Sequence, residues 1–179
     1  MPIATERLKL LELNEADLND MFLLHSNEAV ARYNTIGIPL DREITRKILA
    51  PLMEASDNKT DFSWTIRDQH TNTFLGEIGY ALAPERYRLA SLHYSLLPEY
   101  WGKGYATEAA LGLLKYCFEE LNLHRIEAGC AVDNLASIRV LEKLGMQREG
   151  RKRKVLPLQS GWSDNYEFAI LEEDFKRLS

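Results

Sequence analysis

Leu96-Leu97-Pro98-Glu99-Tyr100-Trp101-Gly102-Lys103-Gly104-Tyr105-Ala106-Thr107-Glu108-Ala109 is where the periodicity of this chain changes. Before it, Leu92, Tyr94 and Leu96 alternate with polar residues, the period of a half-buried strand. After it, Ala106, Ala110, Leu113, Leu114, Cys117, Phe118 and Leu121 recur at helical spacing and predict a helix from Gly104 to Leu121. Gly102 and Gly104 stand at the junction. Glycine there lets the backbone turn tightly and approach a ligand closely. The free N–H groups of the helix's first turn, with its dipole, suit a phosphate or pyrophosphate. The glycines alone fit a tight strand-to-helix turn equally well. Two familiar phosphate loops fit worse. A P-loop needs glycine where Leu97 stands and Ser or Thr after Gly-Lys. The dinucleotide fingerprint needs a third small residue where Thr107 stands and an early βαβ unit.

Outward from this junction the pattern is consistent. Phe62, Trp64 and Ile66 alternate with polar residues, as do Phe74, Gly76, Ile78 and Tyr80. With the strand at Leu92–Leu96 they predict an antiparallel meander, broken at 68–72 and 83–86 by turn residues. Upstream, Arg7 to Leu13 reads as a strand. Asn14 offers an N-cap before a helix carrying Leu18, Met21, Phe22 and His25. A second helix starts at Asp41, and Pro51 should kink or restart it. Downstream, Arg125–Val132 returns to a strand. Asp133 or Asn134 caps a helix with Ile138, Leu141 and Leu144 inward, and Gly145 supplies a left-handed stop. Gln147–Val155 and Trp162–Leu171 close the chain as strands.

The resulting order is β-α-α-β-β-β-α-β-α-β-β. Its strand–helix–strand crossover from Leu92 to Val132 implies one parallel pair in a mixed, mostly antiparallel sheet flanked by helices, an α/β (α+β) architecture. The chain has 179 residues without repeat or linker, so one domain over 1–179 is expected.

Composition narrows the function classes. The 22 basic residues against 27 acidic ones give a net charge of -5, which argues against a nucleic-acid surface. Cys117 and Cys130 lie in apolar surroundings at no metal-ligand spacing, so they read as buried free thiols with no metal. No secretory h-region follows Met1, and no apolar run reaches the about 18 residues of a membrane span. A cytoplasmic protein with no membrane contact is expected.

Trp101-Gly102-Lys103-Gly104-Tyr105-Ala106-Thr107-Glu108-Ala109 resembles the acetyl-CoA pyrophosphate loop of the GNAT superfamily of N-acetyltransferases, of general form Gln/Arg-x-x-Gly-x-Gly/Ala. Gly104 and Ala106 match it, and Trp101 takes the Gln/Arg position. The wording is similar to the branch containing bacterial ribosomal-protein N-terminal (alanine/serine) acetyltransferases. The stretches Thr5–Leu10, Asn134–Met146 and Asp164–Leu171 resemble the same branch. The resemblance implies acetyl-CoA as co-substrate and an amine acceptor, a protein N-terminus or a small molecule, with a monomeric or homodimeric state.

The resemblance also implies roles. Beside Trp101, the N–H groups of Gly102, Lys103, Gly104, Tyr105 and Ala106 would hold the pyrophosphate. The backbone near Leu96 and Leu97 would pair with the pantetheine as an added strand, in a cleft where that strand and Arg125–Val132 separate. Asn134 would contact the pantetheine besides capping its helix. Ser137 is the acid candidate, because the position of the usual tyrosine holds Leu141. Ser91 holds the position of the usual glutamate base, which leaves Glu77, His93 or water. These departures motivate an alternative, an acyl-CoA-binding module with little turnover. Trp101 and Tyr105 also read as packing residues and Glu108 as locally paired. The run Arg148–Lys154 reads as a solvated face or as a funnel for an acidic acceptor or the CoA 3′-phosphate.

Overall fold

The computed structural model describes residues 2–54 and 59–178; Met1 and Ser179, the ends of the expected domain, lie outside the described residues. The elements are β1 (Ile3–Ala4), β2 (Leu8–Glu12), α1 (Leu18–His25), α2 (Glu28–Ala31), α3 (Arg42–Met53), β3 (Asp61–Asp68), β4 (Phe74–Leu82), β5 (Leu89–Leu96), α4 (Tyr105–Glu119), β6 (Arg125–Ala131), α5 (Leu135–Lys143), β7 (Gln147–Leu158), β8 (Gly161–Leu171) and α6 (Glu172–Leu178). They form one eight-stranded sheet in the order β1-β2-β3-β4-β5-β6-β8-β7. Every pair is antiparallel except β5–β6, the expected parallel pair.

The expected order is recovered, with β1, α2 and α6 added. Two residues of β1 are too few to show alternation, and α2 is a single turn capped by Asn27. The short α6 carries Glu172, Glu173 and Asp174 in its first turn and Lys176 and Arg177 in its last, the charge order that suits a helix dipole. Pro51 does not break α3. It falls in the last turn, where one missing N–H costs a single bond. The two closing strands run past the expected ends at Val155 and Trp162: Leu156, Pro157 and Leu158 pair with Ser163, Trp162 and Gly161.

Each face of the sheet buries its own apolar cluster. One joins Ile66, Ile78, Tyr80, Leu92 and Ile126 to Leu113 and Leu114 of α4, Leu141 of α5 and Phe175 of α6. The other joins Leu13, Phe74 and Leu97 to Met21 and Leu24 of α1 and Leu49 of α3. Alternation assigned Phe74 to the face of Ile78, and the register overturns this. It slips between Ile66 and Arg67, so Leu75 joins Ile78 while Phe74 turns to α1 and α3. Such an irregularity exchanges the faces of the residues beyond it.

The parallel pair is short. Leu89, Ala90 and Ser91 align with Arg125, Ile126 and Glu127, and beyond them β5 and β6 diverge. That divergence makes room for the site.

Candidate active site

Leu97 N–H donates to Leu75 O and Ala83 N–H to Leu89 O, each at 2.9 Å, so the odd-numbered residues of β5 bond to β4. By the antiparallel alternation, the main-chain groups of Leu92, Tyr94 and Leu96 point the other way, towards the gap left by β6. One of them is taken: Trp101 Nε1 donates to Leu96 O at 2.7 Å. Leu92 flanks the last β5–β6 pair, Ser91 with Glu127, so the open strand edge runs from Tyr94 to Leu96. It floors a cleft of about 450 Å³ walled by the loop 101–107, the start of α5 and the segment at Val30–Asn34.

The loop into α4 turns through two left-handed residues, Gly102 at φ +71° and Gly104 at φ +84°. Gly104 is the N-cap and offers no side chain to the first-turn N–H groups of α4. Those donors are therefore available to an anion. Tyr105 packs edge-on to Tyr100, while Trp101 is 47% exposed at the cleft. Leu97 is buried in the α1–α3 cluster, behind the cleft rather than in it.

Glu108 is not locally paired. Its carboxylate accepts from Thr5 Oγ1 at 2.6 Å, Arg7 N at 2.8 Å and Arg7 Nε at 2.6 Å. Arg7 Nη1 also donates to Lys103 O at 3.2 Å, and its guanidinium lies 4.4 Å over the Tyr105 ring. Partial burial pushes the Glu108 carboxyl up, but the bonds from Thr5 and Arg7 outweigh it and hold its pKa below the usual range. The chain start thus clamps the loop.

Gly104→Val should weaken CoA binding at least tenfold, about 1.4 kcal/mol. A β-branched residue is strained at this φ, and its Cβ would lie 3.4 Å from Arg7 Nη2, disturbing the turn that leaves the first-turn N–H groups of α4 uncapped. Calorimetric titration of the folded variant with CoA checks this, and unchanged affinity would contradict it.

At the opposite wall, Asn134 Oδ1 accepts from Ser137 N–H at 3.1 Å, the cap expected for α5. The Ser137 hydroxyl is 2.9 Å from the Tyr94 hydroxyl, and both residues line the cleft. Ser137 also bonds to the Cys130 thiol, whose pKa burial pushes up to about 11 against that bond. Leu141 is buried in the core and presents nothing to the cleft. Both cysteines are free and buried, as expected.

Glu77 and His93 face away from this cavity. Glu77 is buried on the α1 side, where its Oε1 lies 3.0 Å from His25 Nε2. His93 Nε2 is 3.4 Å from Ser63 Oγ on the same face. Its ring is crowded by the sheet although one side meets solvent, and burial lowers its pKa against the pull of Glu77 and Asp61.

The basic run of β7 is largely cross-strand paired with β8. Arg151 meets Asp164 at 2.7 Å, Lys152 meets Glu167 at 3.1 Å, and Arg148 lies 4.6 Å over Tyr166. These pairs favour the solvated-face reading over the funnel. The cations beside the cleft are instead Arg139 and Lys143 of α5. Their spacing by one helical turn was readable in the sequence. That α5 starts beside α4 was not.

Residues 7–147 match the family model described as an acetyltransferase (GNAT) domain. The chain belongs to the GNAT acetyltransferase family. Over 177 residues it is 33% identical to the uncharacterized N-acetyltransferase YnaD of Bacillus subtilis (strain 168), covering 98% of this chain and 99% of that one. A crystal structure of a GNAT-family acetyltransferase from Bacillus anthracis superposes with a TM-score of 0.84 at 35% identity, covering 97% of this chain and 99% of that one. The spermidine N-acetyltransferase of Vibrio cholerae, in complex with CoA and spermine, shares the fold with a TM-score of 0.85 at 21% identity, covering 96% and 99%.

This GNAT chain is accordingly an acyltransferase that uses acetyl-CoA and delivers the acetyl group to an amine. Its cleft fits that co-substrate. The open edge of β5 matches an extended amide-bearing arm, and the uncapped start of α4 matches a pyrophosphate. Among the described residues no cluster of His, Cys, Asp and Glu has the arrangement to hold a metal ion, and no helix is long and apolar enough to cross a membrane.

Proposed function

We propose that residues 1–179 form one N-acetyltransferase domain that acetylates a primary amine on a protein N-terminus or a small molecule. The open end of the β5–β6 ladder beside the uncapped start of α4 carries this reading. Tyr94 and Leu96 carry the backbone edge that pairs with the pantetheine, and Leu97, bonded to Leu75 of β4, backs that edge from the α1–α3 cluster. Trp101, Gly102, Lys103, Gly104, Tyr105 and Ala106 form the pyrophosphate loop, with Asn134 at the pantetheine. Ser137 acts on the leaving thiolate. Two buried free thiols suit a reducing, cytoplasmic setting. Incubating the protein with acetyl-CoA and a panel of N-terminal peptides and polyamines, with thiol release as the signal, tests this reading. CoA binding without thiol release on any amine would overturn it.

The base is Glu77 or His93, acting through water from the far face of the sheet, unless water alone accepts the proton. The lowered pKa of His93 fixes the sign for one arm. As base it must be neutral, so the acidic limb of kcat/KM would fall below its ordinary value of 6.5, with activity complete above it. Profiles of Glu77→Gln and His93→Gln from about pH 5 to about pH 9 are compared with wild type. Loss of the acidic limb in one variant marks the base. Unchanged limbs in both leave water.

A further inference from the structure

Of the hydroxyls in the cleft, Tyr94 has the contact that the acetyl-transfer chemistry lacks elsewhere. A serine hydroxyl by itself is a much weaker acid than a thiol, so Ser137 can protonate a departing thiolate only if its own proton is replaced as it leaves. The tyrosine hydroxyl, 2.9 Å away from Ser137 Oγ, is placed to replace it. Tyr94 comes from β5, whose even-numbered side chains face α4 and α5, and its ring packs against the core that Leu141 fills. Its hydroxyl is also 3.4 Å from the Ser137 carbonyl oxygen, which keeps it at the start of α5. A phenol thus reaches the cleft from the strand.

We propose that Tyr94 is the proton source behind Ser137, the two hydroxyls forming a relay to the leaving sulfur. The proposal rests on the acetyl-transfer reading of the cleft. When the carbon–sulfur bond breaks, its electron pair stays on sulfur. Ser137 Oγ–H gives its proton to sulfur, and Tyr94 Oη–H gives its proton to Ser137 Oγ. The Tyr94 oxygen recovers a proton from solvent in the cleft, to which the base releases the one it took from the acceptor nitrogen. Amine and thioester have then become amide and thiol, with no proton gained or lost. Burial raises the Tyr94 phenol against its bond to Ser137, so the donor form is the resting state at neutral pH.

The test uses CoA itself and needs no acceptor. A relay that donates to sulfur stabilises the bound thiolate, so the thiol of bound CoA should titrate below that of free CoA. The thiolate absorbance of the complex is followed against pH for wild type, Tyr94→Phe and Ser137→Ala. The remaining charged or titratable groups around the cleft are Cys130 of β6, Arg139 and Lys143 of α5, and tyrosines 33, 100 and 105, and all are retained in both variants. Tyr94→Phe should return the thiol about one unit towards its free value with CoA affinity within about twofold of wild type. It should also lower kcat about tenfold to a hundredfold on any amine that wild type accepts. A bound thiol unmoved by Tyr94→Phe would overturn the relay whatever happens to kcat, because a packing role alone can slow the reaction. Should that variant fail to fold, Ser137→Ala gives the same readout, and an unmoved thiol there overturns the relay too. Failure of wild type to bind CoA would refute the acetyl-transfer reading instead.

Discussion

Gly76→Ala should destabilise the protein by about 4 kcal/mol or more, at the severe end for a single substitution. A Cβ at this position would lie 2.1 Å from the Ser95 carbonyl oxygen and 2.7 Å from Leu96 Cα. Both atoms are backbone in the neighbouring strand, so no side chain can rotate out of the way. Relief requires β4 and β5 to separate, and the interior is too densely packed to absorb that. Gly76 pairs with Leu96, so separation would also distort the edge that floors the cleft. Gly150→Ala is the control, because among the described residues nothing lies within 4 Å of a Cβ there, and its cost should stay within about 0.5 kcal/mol. Urea unfolding measures both, with stability read from midpoints at constant slope. A Gly76→Ala midpoint close to wild type would contradict this account of the β4–β5 pair.

The same residues show how far local pattern reaches. Alternation in β3, β4 and β5 and the change of period at Gly104 made the meander, the crossover and the loop legible. Each is a signal carried within about ten residues, short enough for backbone period and glycine chemistry to decide. The slip that sends Phe74 to one face and Leu75 to the other arises between two strands, where no single strand's period records it. Partners across the fold were equally hidden. Glu108 answers to Thr5 and Arg7, and Glu77 to His25. Tyr94 read as a strand core residue. Only the docking of α5 against the open end of β5 makes it a cleft hydroxyl.

Glu77 illustrates a second limit. A carboxylate on a strand beside the cleft is an attractive base from sequence, yet its side chain is on the α1 face, buried against His25. His25 Nδ1, also buried, has no hydrogen-bond partner among the described residues. Breaking this pair would leave a buried polar group unsatisfied, which typically costs about 1–3 kcal/mol. A fall in the activity of Glu77→Gln therefore needs its pH profile before it identifies a base, since weaker folding alone would scale the whole curve.

Ser137→Ala should lower kcat about a hundredfold or more, roughly 3 kcal/mol in the barrier, while leaving CoA affinity within about twofold. The separation follows from geometry. The uncapped N–H groups at the start of α4 follow the loop at Gly102–Gly104, whereas Ser137 lies across the cleft on α5. The substitution also spares the helix. Asn134 accepts from the backbone N–H of Ser137, a bond that alanine keeps, so the cap of α5 survives. What is lost is the hydroxyl, its bond to Tyr94 and its bond to Cys130. Losing a group that acts only as the thiolate departs lowers kcat and kcat/KM together. Steady-state rates over a range of acetyl-CoA concentrations, with calorimetric CoA binding, separate these outcomes. A raised KM at unchanged kcat would make Ser137 a binding residue for the pantetheine. Full activity would remove it from the reaction and leave the thiolate to depart without a proton from α5.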